Sequence, residues 1–195
     1  MSAGSAQRPR HRAPPWEIRQ PQPAIVELAR QSAVTGRVLD VGCGTGEHTL
    51  LAASLGLDAT GVDLDEHALD AARTKAARRG LTARFLRHDA LRLSELGERF
   101  DTALDSLVLH ALGPADRHAY VVGLRQVQRP GGRLLVLCYS DRYTAEPLVP
   151  HALARDEIAT ILRDGWLVDA IDPATSASNV HLDGVAAWLV TSTRT

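Results

Sequence analysis

Residues 36–53 read GRVLDVGCGTGEHTLLAA, an apolar run that ends in an acid, passes Gly42, Gly44 and Gly46, and continues rich in Ala and Leu. A strand that turns through glycines into a helix presents bare backbone amides at the carboxyl end of a sheet strand, where open α/β sheets bind ligands. A tight turn alone does not need glycine at all three places, so the loop is expected to hold something. Acids recur at comparable strand ends: Asp40 at the root of the loop, Asp63 about twenty residues on where a carboxylate accepts ribose hydroxyls, Asp89 in FLRHDA, and Asp105 beside Ser106. Four carboxylates around one crevice suit a cationic ligand better than a polyanion.

Two further sets of residues could do chemistry. Histidine titrates near neutral pH, so His110, just past the fourth expected strand on the ligand side, is a candidate to take a proton from an acceptor hydroxyl. His181, in a polar loop before the last strand, is a second candidate, whereas His48, on the helix after the glycines, is expected to pack. Tyr139, Asp141 and Tyr143 follow the fifth strand and are expected to line the acceptor site, with Trp16 and Trp166 as further flat surfaces.

The elements that must position these residues alternate along the chain. RVLDV, DATGVD, TARFLRHD, FDTALDSLVL and RLLVLCYS read as strands. Between them, GEHTLLAASLG, DEHALDAARTKAARRG and PADRHAYVVGLRQVQRPGG read as helices, the second with Asp65 as its cap and Gly80 after a basic last turn. An earlier short helix starts at Pro23. Strand and helix in alternation predict an α/β fold with a parallel sheet and helices on both faces. After the helix ARDEIATILRDG, the segments WLVDAI and VAAWLVTST are joined by DPATSASNVHLDG, too polar and turn-rich for a crossover helix, so these last two strands are predicted to be antiparallel. Residues 1–15, with Arg and Pro and little to bury, are expected to be a disordered tail, and residues 16–195 a single domain.

Composition narrows the classes of partner. The 195 residues carry a formal net charge of −1, which offers no field of one sign to nucleic acid or an anionic membrane. The two cysteines, Cys43 and Cys138, lack the spacing of a disulfide framework or a zinc site, so no metal is expected and a reducing, cytoplasmic setting fits. No apolar run approaches the ~20 residues of a membrane span. A dinucleotide fingerprint requires its third glycine at position 47, which is Glu, and no G-K-[ST] follows to make a P-loop. A nucleotide-dependent oxidoreductase is therefore the weaker alternative.

In order, VLDVGCGTG, GVDLD, RHDAL, FDTALDSLVLH and RPGGRLLVL resemble the successive motifs of class I S-adenosylmethionine-dependent methyltransferases. PPWEIRQPQP resembles the N-terminal segment of small members related to thiopurine and tellurite methyltransferases, in which a Trp packs near the cofactor. The resemblance implies a Rossmann-like seven-stranded sheet of order 3-2-1-4-5-7-6 with strand 7 antiparallel, and S-adenosyl-L-methionine as cofactor. It places Gly42, Cys43 and Gly44 against the methionine part, Asp40 at the amine, Asp63 and Leu64 at ribose and adenine, Asp89 and Ala90 at the adenine edge, and the Asp105 and Ser106 backbone at the sulfonium end. Trp16 joins this cofactor set, and His110, Tyr139 and His181 are the catalytic candidates. A chain with no separate acceptor domain points to a small-molecule acceptor, with an aromatic or heteroaromatic ring favoured, and to a monomer or homodimer. The alternative is a non-catalytic module that binds the same cofactor.

Overall fold

In the computed structural model, residues 14–142 and 152–195 are described. Seven strands form one sheet: β1 (Arg37–Val41), β2 (Asp58–Asp63), β3 (Arg84–Arg87), β4 (Phe100–Ser106), β5 (Gln128–Tyr139), β6 (Trp166–Ser176) and β7 (Val185–Arg194). Their order is β3-β2-β1-β4-β5-β7-β6. The pairs from β3 through β5 are parallel, and β7 runs antiparallel to both β5 and β6, as expected from the chain.

Helices α1 (Pro23–Arg30), α2 (Glu47–Ser54) and α3 (Glu66–Arg79) lie on one side of the sheet, and α4 (Pro114–Val127) and α5 (Arg155–Ile161) on the other. A strand segment buried on both faces must be apolar at successive positions, and residues 134–138 of β5 show it. Leu134 and Val136 pack with Tyr120 and Leu124 of α4, while the intervening Leu135 and Leu137 pack with Ile25 and Leu28 of α1. The best-signalled helix, α3, is capped as its sequence predicts. Asp65 accepts hydrogen bonds from the amides of His67 (2.9 Å) and Ala68 (3.4 Å), and Gly80 closes the helix in the left-handed conformation. Among the described residues no helix is long and apolar enough to cross a membrane.

Four boundaries differ from the sequence reading. β3 is confined to Arg84–Arg87, inside TARFLRHD. β4 stops at Ser106, short of the expected Leu109, because Leu107 takes φ +76° and a 3₁₀ turn, Leu109–Ala111, follows; His110, expected just past the strand, stands on that turn. The RPGG expected to end α4 instead lies in the first part of β5, where the register against β4 shifts between Phe100 and Thr102. β6 continues through Pro173 to Ser176, in the segment read as loop. Proline is tolerated there because β6 is the edge of the sheet and has a free hydrogen-bonding side. Residues 1–13 of the expected tail, and Tyr143, lie outside the described residues; Pro14 and Pro15 use their carbonyls to accept hydrogen bonds from Asn179.

Candidate functional site

At the carboxyl edge of β1, β2, β4 and β5 lies a cavity of about 440 Å³. One wall is the glycine loop, Gly42 to Thr45, with Asp63 at the tip of β2. The opposite wall is the turn from Ser106 to Leu112 with Tyr139, and a strap from Trp16 to Gln22 closes the side. Eight of the residues singled out from sequence meet here: Trp16, Gly42, Cys43, Gly44, Asp63, Ser106, His110 and Tyr139.

The three glycines serve different ends, which corrects the expectation that the turn alone did not need them all. A Cβ on Gly42 would strike Val108 of the opposite wall, and one on Gly46 would come within 2.7 Å of both Ala72 and the Phe85 ring. Gly44, at φ +51°, has nothing within 4 Å of that position, so its backbone alone faces open space. Asp63 holds this loop in place. Its Oδ2 accepts from the Gly44 amide at 2.8 Å and its Oδ1 from the Asp65 amide at 2.9 Å.

Two of the acids lie beneath the cavity rather than in its lining. Asp40 is buried, its Oδ2 accepting from the Thr49 amide (2.9 Å) and hydroxyl (2.6 Å), so it anchors the first turn of α2. Burial pushes its pKa up to about 7, opposed by the Thr49 donors and assisted by nearby Asp63. Asp105 is also buried and accepts from the amides of Val108 (2.8 Å) and Leu109 (3.1 Å) and from the Tyr120 hydroxyl (2.9 Å). Burial raises it to about 7 against those three donors, with Asp40 adding to the rise. Asp105 thereby pins the turn that carries Leu107 at positive φ and His110 into the wall.

Leu64 is 58% exposed beyond Asp63, and Asp89 caps the 3₁₀ segment that starts at Ala90 by accepting from the Leu91 amide. These three residues stand past the tip of β2 and β3, outside the cavity lining. His181 sits in a turn closed by a hydrogen bond from the Gly184 amide to its carbonyl, also outside the lining. Trp166 packs in the core below the sheet, Asp141 is exposed, and neither lines the cavity.

His110 and Tyr139 stack obliquely, with ring centroids 4.4 Å apart. Cys43 also lines the cavity, yet its sulfur sits against Gly61 of β2 and burial pushes the thiol pKa well above the ordinary range, so it is no thiolate nucleophile.

Several lining residues escaped the sequence reading. Gln22 donates its amide to His48 Nε2 (3.0 Å) and exchanges two side-chain hydrogen bonds with Ala177. His48 is half-buried and desolvation lowers its pKa to about 4, so it packs as expected while also facing the cavity as a neutral acceptor. Glu17 accepts from Thr45, which in turn accepts from Lys75; Lys75 and Arg79 both pair with Glu47. The Glu47 carboxylate is thus neutralised by α3. No periodicity marks these residues, because each contact joins segments 26 to 30 residues apart in sequence.

Comparison with known proteins fits this geometry. Residues 38–132 match the family described as a methyltransferase domain. The chain is 36% identical over 169 residues to the 2-heptyl-1-hydroxyquinolin-4(1H)-one methyltransferase of Mycobacteroides abscessus, covering 85% of this chain and 74% of that enzyme. Among solved structures, one described under the conversion of a disulfide bond into a thioacetal group during echinomycin biosynthesis superposes with TM-score 0.85 at 38% identity, covering 93% of this chain and 85% of the other. The 1,6-didemethyltoxoflavin-N1-methyltransferase of Burkholderia thailandensis, solved with its substrate and S-adenosylhomocysteine, gives TM-score 0.72 at 25% identity, covering 89% of this chain and 77% of the other.

Proposed function

We propose, from the premise that the chain belongs to the S-adenosylmethionine-dependent methyltransferases and is an enzyme acting on a small molecule, that its acceptor is a ring hydroxyl of an aromatic heterocycle. The cofactor supplies an electrophilic methyl group on a sulfonium whose leaving group is already good. The residues present fit it. Gly44 offers bare backbone facing open space, and the lining carboxylates of Asp63 and Glu17 suit its positive charge. Gly42, Cys43 and Gly44 would hold the methionine part, Asp63 the ribose, and Leu64, Asp89 and Ala90 the adenine. Asp40 and Asp105 act from beneath, by fixing α2 and the Ser106–Leu112 turn.

The observation that carries the acceptor reading is the far half of the cavity, where Trp16, Leu112 and Tyr139 offer flat or apolar surface and His110 stands among them. An in-line displacement needs the nucleophile aligned and water excluded, and these walls serve both ends. His110 would take the hydroxyl proton as the methyl arrives. The similarity to a hydroxyquinolone methyltransferase supports the same acceptor chemistry. A sulfur acceptor is the second reading, favoured by the likeness to the protein tied to disulfide conversion.

Methyl-labelled S-adenosylmethionine offered with 1-hydroxyquinolin-4-ones, thioethers and disulfides separates these readings. Transfer to the hydroxyquinolone is expected, with His110→Gln lowering kcat about 100-fold while S-adenosylhomocysteine affinity holds. Transfer to sulfur alone would replace the hydroxyl reading, and no transfer to any acceptor alongside intact cofactor binding would favour a non-catalytic module.

A further inference from the structure

The polar connection between β6 and β7 runs along the same edge of the sheet as the cavity, since β7 begins where β5 ends and Ala187 pairs with Tyr139. Asn179 of that connection is tied to the strap three times: its amide donates to the Pro15 carbonyl (2.9 Å), and its Nδ2 to the carbonyls of Pro14 (2.8 Å) and Glu17 (3.0 Å). These bonds bring the segment that carries Val180 and Leu182 against the segment that carries Trp16, which itself lines the cavity. All three are large apolar side chains left in water, with Trp16 57% exposed, Val180 47% and Leu182 fully so. Ser178 fixes the backbone between them, its Oγ accepting from the amides of Val180 (3.1 Å) and His181 (3.3 Å), and the His181–Gly184 turn holds Leu182 at its outer corner.

Isolated exposed apolar side chains need no explanation, but three on two hydrogen-bonded segments at the rim of an apolar cavity offer an apolar track along that rim. We infer that this track binds an apolar extension of the acceptor, an alkyl or comparable hydrocarbon chain that leaves the cavity past Trp16 and lies on Val180 and Leu182. The inference rests on the methyl-transfer reading above and adds to it the shape of the substrate: a ring that fits among Trp16, Leu112 and Tyr139, carrying a tail that does not. No Asp, Glu, Lys or Arg occupies positions 178–182, so a tail lying there desolvates none of these from that segment.

The test is a binding series on the protein loaded with S-adenosylhomocysteine, using 1-hydroxyquinolin-4-ones that bear methyl, propyl, pentyl or heptyl at the 2 position. A tail with one face against protein and one in water should tighten binding by about two-fold per methylene, below the limit of full burial. The double variant Val180→Ser, Leu182→Ser changes only exposed side chains, so it should fold as the parent does. It is expected to flatten the series while leaving the methyl compound's affinity unchanged. Absence of any chain-length dependence in the parent, or a slope retained in the double variant, overturns the tail site. A slope that is present and lost in the variant, with no compound methylated, upholds the tail site and refutes the hydroxyl-transfer reading instead.

Discussion

Gly44 and Gly46 share positive φ, +51° and +83°, and differ in what surrounds them. An alanine at 46 must push into Ala72 and Phe85, so strain and overpacking add, and Gly46→Ala is expected to cost about 3 kcal/mol in urea unfolding. Gly44→Ala meets no neighbour; its cost to stability should stay near the ~1 kcal/mol of the left-handed conformation, while its methyl group intrudes where the ligand lies. Calorimetry should show S-adenosylhomocysteine affinity reduced at least tenfold in Gly44→Ala. Equal stability losses in the two variants would refute this division of labour. Asp63 carries the other half of the cradle. Asp63→Ala should abolish measurable S-adenosylhomocysteine binding with the far-ultraviolet circular dichroism unchanged, and retained affinity would remove the ribose assignment. The spacing of the glycines and the acid at the tip of β2 were legible in the chain, because local backbone needs and strand ends write themselves into residue type. The packing reasons for Gly42 and Gly46 were not, since they reside in Val108, Ala72 and Phe85, distant in sequence. Asp40 and Asp105 were recognised as strand-end acids, yet only the fold shows that Thr49 and Tyr120 claim their oxygens.

At the scale of elements, the turn after β4 depends on a buried contact from α4. Tyr120 donates to Asp105, and Asp105 accepts from the amides that follow Leu107, so one helix side chain supports a strained turn in the cavity wall. Tyr120→Phe removes that donor. The Tyr120 hydroxyl favours the ionised carboxylate, so its loss should cost more where Asp105 is charged, above about pH 7, than in mild acid. A cost of about 2 kcal/mol at alkaline pH, shrinking toward pH 5, is expected from denaturant titrations, the size of a hydrogen bond to a charged group. A cost independent of pH would show that Tyr120 matters only as packing. The alternation of strands and helices, and the polar link that forces β7 antiparallel, could be read directly, because period and turn chemistry are local signals. The ends of β4 and β6 could not. A positive φ at a leucine and a proline within an edge strand are settled by neighbours, the first by the Leu107 amide bonding to Leu137 and the second by the open side of β6.

The molecule as a whole should respond to pH chiefly through the buried Asp40 and Asp105 and the half-buried His48. Asp40 and Asp105 rise from 3.8 to about 7 on folding, so between those values the native chain keeps protons that the unfolded chain has released. Stability from them is full below 3.8 and is lost as pH climbs to about 7. His48 moves the other way, from 6.5 down to about 4; the unfolded chain takes up a proton that the native chain refuses, and stability is lost as pH falls through that interval. Glu98, lowered from 4.5 to about 2 mainly by Arg84 and Arg37, also favours the native chain only as pH rises, but it is nearly spent above 4.5. From about 4.5 to 6.5 the carboxylates and His48 therefore oppose each other, and just above 6.5 the carboxylates act alone. Two carboxylates outweigh one histidine, so stability in urea should fall by about 1.4 kcal/mol per pH unit across the first interval and level off above about pH 7.5. His48→Gln keeps an acceptor for the Gln22 amide while deleting the opposing titration, so its stability should fall about twice as steeply from pH 4.5 to 6.5. Asp40→Asn should leave stability nearly flat over the same interval, because the one remaining carboxylate and His48 then cancel. A parent stability that rises from pH 4.5 to 6.5 would mean that the native carboxylates are already ionised there, and that both negative charges stand beneath the cavity throughout that interval.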